Sequence, residues 1–102
     1  MRGTGLTKAM VMSLPETGAA VIVHNSVMRD YVMRMVRDLR GPDVAKRCKV
    51  LVLQHHSDLA RLHGLRVQVH VDHAFSDSVS WLFSREVHAN VDRINSLFPP
   101  AT

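Results

Sequence analysis

Two stretches of this chain are apolar and rich in β-branched residues without any alternation: Ala19-Ala20-Val21-Ile22-Val23 and Val50-Leu51-Val52-Leu53. Successive side chains of a strand point to opposite sides of its sheet, so a strand with one wet face alternates apolar and polar residues. A strand that is apolar throughout needs cover on both faces, which is the condition of strands in parallel sheets beneath helices. A third stretch, Arg66 to Phe75, alternates at first, with Val67, Val69 and Val71 on one side and Gln68 and His70 on the other. The expected fold is therefore α/β: a small three-layer βαβ protein with a short, mostly parallel three-stranded sheet flanked by helices.

The segments between these strands read as helices. Val27, Met28, Tyr31, Val32, Met35, Val36 and Leu39 recur at helical spacing after a capping Asn25 or Ser26, and Gly41-Pro42 closes the run. Met1 to Thr7 reads as a loop, and Thr7 to Leu14 as a helix stopped by Pro15 and Gly18. Ser57 or Asp58 caps a short helical turn over Leu59–His63 that ends at Gly64. A last helix is expected over 76–98, with Val79, Leu82, Phe83, Val87, Val91, Ile94 and Leu97 as its apolar stripe and Pro99-Pro100 as its stop. With 102 residues the chain has room for one domain, 1–102.

The charge is uneven. Of a formal net charge of +4, residues 29–49 hold seven basic side chains against three acidic ones, while the flanking segments nearly balance. The basic residues that stand out are Arg29, Arg37 and Arg40 on the second helix (26–40) and Lys46 and Arg47 in the loop after it. Such a patch attracts phosphates or an acidic protein surface. Asp30–Arg34 and Arg34–Asp38 are i,i+4 pairs that offset part of it, as on an ordinary solvated helix face. No apolar run approaches the ~20 residues of a membrane span, and one cysteine, Cys48, makes no internal disulfide. The expectation is a cytoplasmic protein without a membrane partner.

The amino terminus, Met1-Arg2-Gly3-Thr4-Gly5-Leu6-Thr7-Lys8, is similar to the back half of a phosphate-binding loop, G-x-x-x-x-G-K-[ST]. In that motif the backbone N–H groups and helix end cradle phosphate, the lysine reaches the outer phosphates and the hydroxyl holds Mg²⁺. With Gly5 as the second glycine, Thr7 takes the hydroxyl position and Leu6 takes the lysine position, while the first glycine and the preceding strand would fall before Met1. Downstream, Val67-Gln68-Val69-His70-Val71-Asp72-His73 resembles the second motif of the same superfamily, an apolar strand ending in a Mg²⁺-binding aspartate. Residues 2–75 thus resemble, in order and spacing, a degenerate P-loop NTPase of the helicase type, of the short kind encoded by bacteriophages. The resemblance implies ATP with Mg²⁺, or another phosphate-bearing ligand, held by Gly3, Thr4, Gly5, Thr7, Lys8 and Asp72, with Thr7 and Asp72 as the metal partners. Without the lysine it implies weak binding and no catalysis, so no catalytic residue is assigned.

Other candidates weigh less. The seven histidines include His70 near Asp72 and His24 at an adjacent strand end, yet no C-x-x-C or H-E-x-x-H spacing occurs. His73 beside Asp72 has the chemistry of a general base, but reads more simply as a polar strand-end residue. Trp81 and Phe83 read as core. Two further functions remain open: a protein-interaction or inhibitory module docking through the basic helix, and sequence-independent nucleic-acid binding through the same residues. An unpaired sheet edge would also allow self-association.

Overall fold

The computed structural model describes residues 4–98. Its centre is β1 (Ala20–Val23), every residue of which is buried. On one side it pairs in parallel with β2 (Lys49–Val52), Ala20 opposite Lys49 and Val23 opposite Val52. On the other it pairs in parallel with β3 (Val69–Val71), Ala20 opposite Val69 and Ile22 opposite Val71. The order is β2-β1-β3, and the continuous apolar run belongs to the central strand, as expected of one covered on both faces.

Alternation along β1 divides the interior into two cores. Val21 and Val23 face Val11 and Leu14 of α1 (Thr4–Ser13), Val32 and Val36 of α2 (Ser26–Arg40) and Val44 of α3 (Pro42–Arg47). Ala20 and Ile22 face Leu53, Leu62, Phe75 and the stripe Phe83, Val87, Val91 and Ile94 of α5 (Trp81–Leu97). The connection from β1 to β2 runs through α2 and α3 on the first face. The connection from β2 to β3 returns past β1 on the second face, through a 3-10 helix over His56–Leu62. The α/β architecture read from the sequence is thus present, helices on both faces of a three-stranded parallel sheet.

Local chemistry sets the boundaries. The Asn25 side chain accepts the Met28 N–H at 2.8 Å, and the Gly41 N–H, at a φ of 92°, closes α2 on the Arg37 carbonyl at 3.0 Å. Gly18, at a φ of 104°, passes so close to α3 that a Cβ there would overlap the Arg47 carbonyl oxygen.

Four sequence expectations need correction. The first helix starts at Thr4, so Thr4–Leu6 are helical rather than loop. The segment after Gly41 is the helix α3, because Pro42 at the first helical position lacks only an N–H that would be orphaned anyway. The third strand is confined to Val69–Val71, ending where Asp72 opens a turn. The last helix is two pieces, α4 (Phe75–Ser78) and α5: Val79 is extended, and the Ser80 hydroxyl accepts the Phe83 N–H at 3.2 Å and starts a new helix. That restart puts Trp81 and Leu82 off the buried stripe, so both are exposed and Trp81 is not core; Arg85 lies over its ring at 4.9 Å. Leu97 is exposed as well, and the expected stop at Pro99-Pro100 lies outside the described residues. Among the described residues no helix is long and apolar enough to cross a membrane.

Candidate functional site

All three strands end at one edge of the sheet, and there the chain departs in different directions. β1 leads to α2 on one face, whereas its neighbours lead to the 3-10 helix and to α4 on the other. Such a divergence opens crevices beside the central strand, the usual place for a ligand in an open α/β sheet.

Asp72 stands one residue past β3 at that edge. Its N–H extends the ladder to the Ile22 carbonyl at 3.0 Å, and its own carbonyl accepts the Phe75 N–H at 2.9 Å. Its carboxylate is 1% exposed with its residue. One oxygen, Oδ1, accepts the Thr7 hydroxyl at 3.0 Å, and the other, Oδ2, accepts the Ala74 N–H at 3.2 Å. A carboxylate taken out of water needs such donors, because an unsatisfied buried charge is costly. His73 Nδ1 lies 3.8 Å from Oδ1, its side chain 35% exposed.

Thr7 reaches Asp72 because it shares a helix face with Val11 and Leu14, four and seven residues on, both packed against β1. The same geometry turns its neighbours outward: Leu6 is 61% exposed and Lys8 is exposed. The pair read from the sequence as opposite one another, Thr7 and Asp72, is therefore in contact across 65 residues of chain. Thr4 opens α1, Gly5 lies in its first turn without positive φ, and a Cβ on Gly5 would meet nothing. Gly3 lies outside the described residues.

The basic residues do not converge on this site. Arg40 Nη1 donates to the Val11 and Met12 carbonyls at 2.9 and 3.2 Å, capping the last turn of α1. Arg47 Nη1 donates to the Glu16 carbonyl at 3.1 Å. Both side chains are thus engaged in holding the fold. Arg37 and Lys46 lie exposed in the last turns of α2 and α3, while Arg29, near the start of α2, pairs with Asp30 at 3.3 Å. Arg29 and Arg40 are eleven residues apart on one helix, about 16 Å along its axis.

Nor do the histidines gather. His56 pairs with Glu86 at 3.0 Å, His88 with the Ser76 hydroxyl at 3.2 Å and His70 with the Gln68 side-chain oxygen at 2.8 Å. Burial pushes the His70 imidazole below its usual range near 6.5. Asp58 is held below the usual carboxylate range by the Gln54 and His55 N–H groups. Among the described residues no three His, Cys, Asp or Glu side chains are placed to hold a metal ion.

Two features of this structure escaped the sequence reading. The Asn95 amide of α5 takes both the N–H and the carbonyl of Val69 on the outer side of β3, at 2.7 and 2.9 Å. The chain also forms an opening where β1 and β2 end, beside His24 and Gln54. Neither has a motif; each depends on where α5 docks. Comparison with known proteins adds no relative: no protein-family model matches the chain, and neither a curated protein nor a solved structure does.

Proposed function

We propose that this chain is a phosphate-binding α/β domain of P-loop type that receives a nucleotide with Mg²⁺ at Thr7 and Asp72 and does not hydrolyse it. The observation that carries this reading is the buried hydrogen bond from the Thr7 hydroxyl to Asp72 Oδ1, 3.0 Å long. Donating its proton to Asp72 leaves the Thr7 oxygen lone pairs available beside the carboxylate. A hydroxyl and a carboxylate are the hard oxygen donors that Mg²⁺ selects, and that ion commonly takes its remaining ligands from phosphate and water. Mg²⁺ supplies charge neutralisation for the phosphates when bound. The amino end of α1 lies within two turns of Thr7 and favours an anion there.

Two residues argue against turnover. Leu6, exposed and apolar, occupies the position at which a lysine would offset charge developing on the transferred phosphoryl group. His73, not a carboxylate, follows Asp72. Calorimetric titration of the whole chain with ATP and GTP, each with Mg²⁺, tests the reading. Saturable binding that Thr7→Val and Asp72→Asn weaken and Thr7→Ser retains supports it, with turnover far below ~1 s⁻¹. Absence of binding up to millimolar nucleotide makes the Thr7–Asp72 contact a structural tie and nothing more.

A further inference from the structure

The sheet has two edges, and the chain guards one of them. The outer side of β3 is closed at Val69 by the Asn95 amide, whereas β2, at the other edge, pairs with β1 alone. Lys49 and Leu53 donate their N–H groups to the Ala19 and Val23 carbonyls. By the alternation of the ladder, the N–H and carbonyl groups of Val50 and Val52 therefore point away from the sheet. Of these four groups only the Val52 carbonyl has a partner among the described residues, Arg61 Nη1 at 3.2 Å. Such a row of free donors and acceptors is a template for one more strand.

The two faces that flank this edge differ in chemistry. On the side of α2, Met33, Val36, Ala45, Cys48 and Val50 line a shallow hollow of about 30 Å³, with Arg37 beside them. On the side of the 3-10 helix, Leu51 and Leu59 border the second core, and Lys49 shares the face of Leu51. Arg61 of the same 3-10 helix reaches the edge itself. Arg37, Lys49 and Arg61 are all exposed, and none forms an ion pair among the described residues. Asp58, three residues before Arg61, has its carboxylate bonded to the Gln54 and His55 N–H groups. A second copy of this chain, set edge to edge about a twofold axis, would bring the same cations against one another. An acidic strand would meet them with opposite charge.

We propose that the free edge of β2 receives an extended, acidic segment of a partner protein as a fourth strand. Its apolar side chains lie toward Met33, Ala45 and Val50, and its carboxylates toward Lys49 and Arg61. Backbone bonds to Val50 and Val52 supply the attachment, and the cations select the charge. Asp72 follows β3, on the far side of β1, so this surface is separate from the Thr7–Asp72 site and does not depend on it.

The test is a residue-resolved NMR titration of the whole chain with a capped six-residue peptide that alternates valine with glutamate. Saturable shifts at the Val50 and Val52 amides, half-complete at roughly millimolar peptide or below, are the expected result, with slower hydrogen exchange at both. The same peptide with lysine in place of glutamate should bind about tenfold more weakly, and Lys49→Glu should weaken the glutamate peptide about fivefold. Should that variant fail to fold, peptides methylated on the valine or on the glutamate nitrogens test the backbone bonds on the native chain. One of the two sets faces β2, and its methylation should abolish binding. Undiminished binding of both methylated peptides overturns the proposal, as does equal binding of the glutamate and lysine peptides. Shifts that spare Val50 and Val52 overturn it as well. Sedimentation of the chain as a dimer that excess peptide does not dissociate gives the edge to a second copy and overturns the acidic partner.

Discussion

The side chain of Asn95 does for Val69 what a neighbouring strand would do: its amide oxygen accepts the Val69 N–H at 2.7 Å and its amide nitrogen donates to the Val69 carbonyl at 2.9 Å. A strand edge with free N–H and carbonyl groups invites pairing with another chain, and here a helix side chain occupies that edge at its most buried residue. Asn95→Leu removes both bonds and leaves two buried backbone groups unpaired, so we expect a loss of roughly 2–4 kcal/mol in urea unfolding. Hydrogen exchange at the Val69 amide should accelerate along with it. An unchanged exchange rate at Val69 would show that the amide does not guard the edge.

Gly18, just before β1, and Gly41, between α2 and α3, separate conformational strain from steric overlap. Gly18 and Gly41 both have positive φ, but a Cβ on Gly41 meets nothing whereas one on Gly18 runs into the Arg47 backbone. Gly41→Ala should therefore cost about 1–3 kcal/mol, the price of backbone strain alone. Gly18→Ala should cost more than that, because the β1 and α3 backbones must also move apart. Equal losses in denaturant unfolding would contradict the packing described between Gly18 and Arg47.

Arg40 and Arg37 are similar in sequence context and different in role. Arg40 bonds two terminal carbonyls of α1, and Arg37 lies exposed. Arg40→Ala should destabilise the fold by about 1–2 kcal/mol and Arg37→Ala by less than about 0.5 kcal/mol. Thermal unfolding of the two variants side by side checks this. A reversed order would free Arg40 for partner binding.

His70 makes stability depend on pH. Burial lowers its pKa, so the folded state holds the ring neutral while the unfolded chain, with a value near 6.5, takes up a proton more readily. The unfolded state then binds more protons as pH falls, and the stability His70 contributes is complete above about 6.5 and is lost as pH drops through the lower folded value. Urea midpoints between neutral pH and pH 5 should fall less steeply in His70→Gln than in the native chain. Identical slopes would place His70 in water rather than in the protein.

Much of the fold was legible because it rests on local patterns: the unbroken apolar run of Ala20–Val23 marks a central strand, and Asn25 and Gly41 bracket α2 as cap chemistry requires. The sequence reading also set Thr7 opposite Asp72, by a resemblance in motif order, and the two side chains are hydrogen-bonded. What could not be read depends on tertiary placement. Pro42 looked like a helix stop and instead begins α3. Trp81 looked like core until the extended Val79 reset the helix and turned it to solvent. Arg40 and Arg47 looked like a docking surface, but carbonyls contributed by α1 and the loop after it claim them. His24 reads as a ligand candidate at a strand end near Asp72, but its unpartnered ring nitrogen exists only once the strand ends are assembled.

The most direct measurement of the central claim is the response of the Gly5–Lys8 and Asp72–Ala74 amide resonances to ADP with and without Mg²⁺. The account predicts saturable shifts at both segments together, stronger with Mg²⁺ and abolished in Thr7→Val while Thr7→Ser preserves them. Shifts absent from both segments, or persisting undiminished in Thr7→Val, would contradict a shared cation site at Thr7 and Asp72.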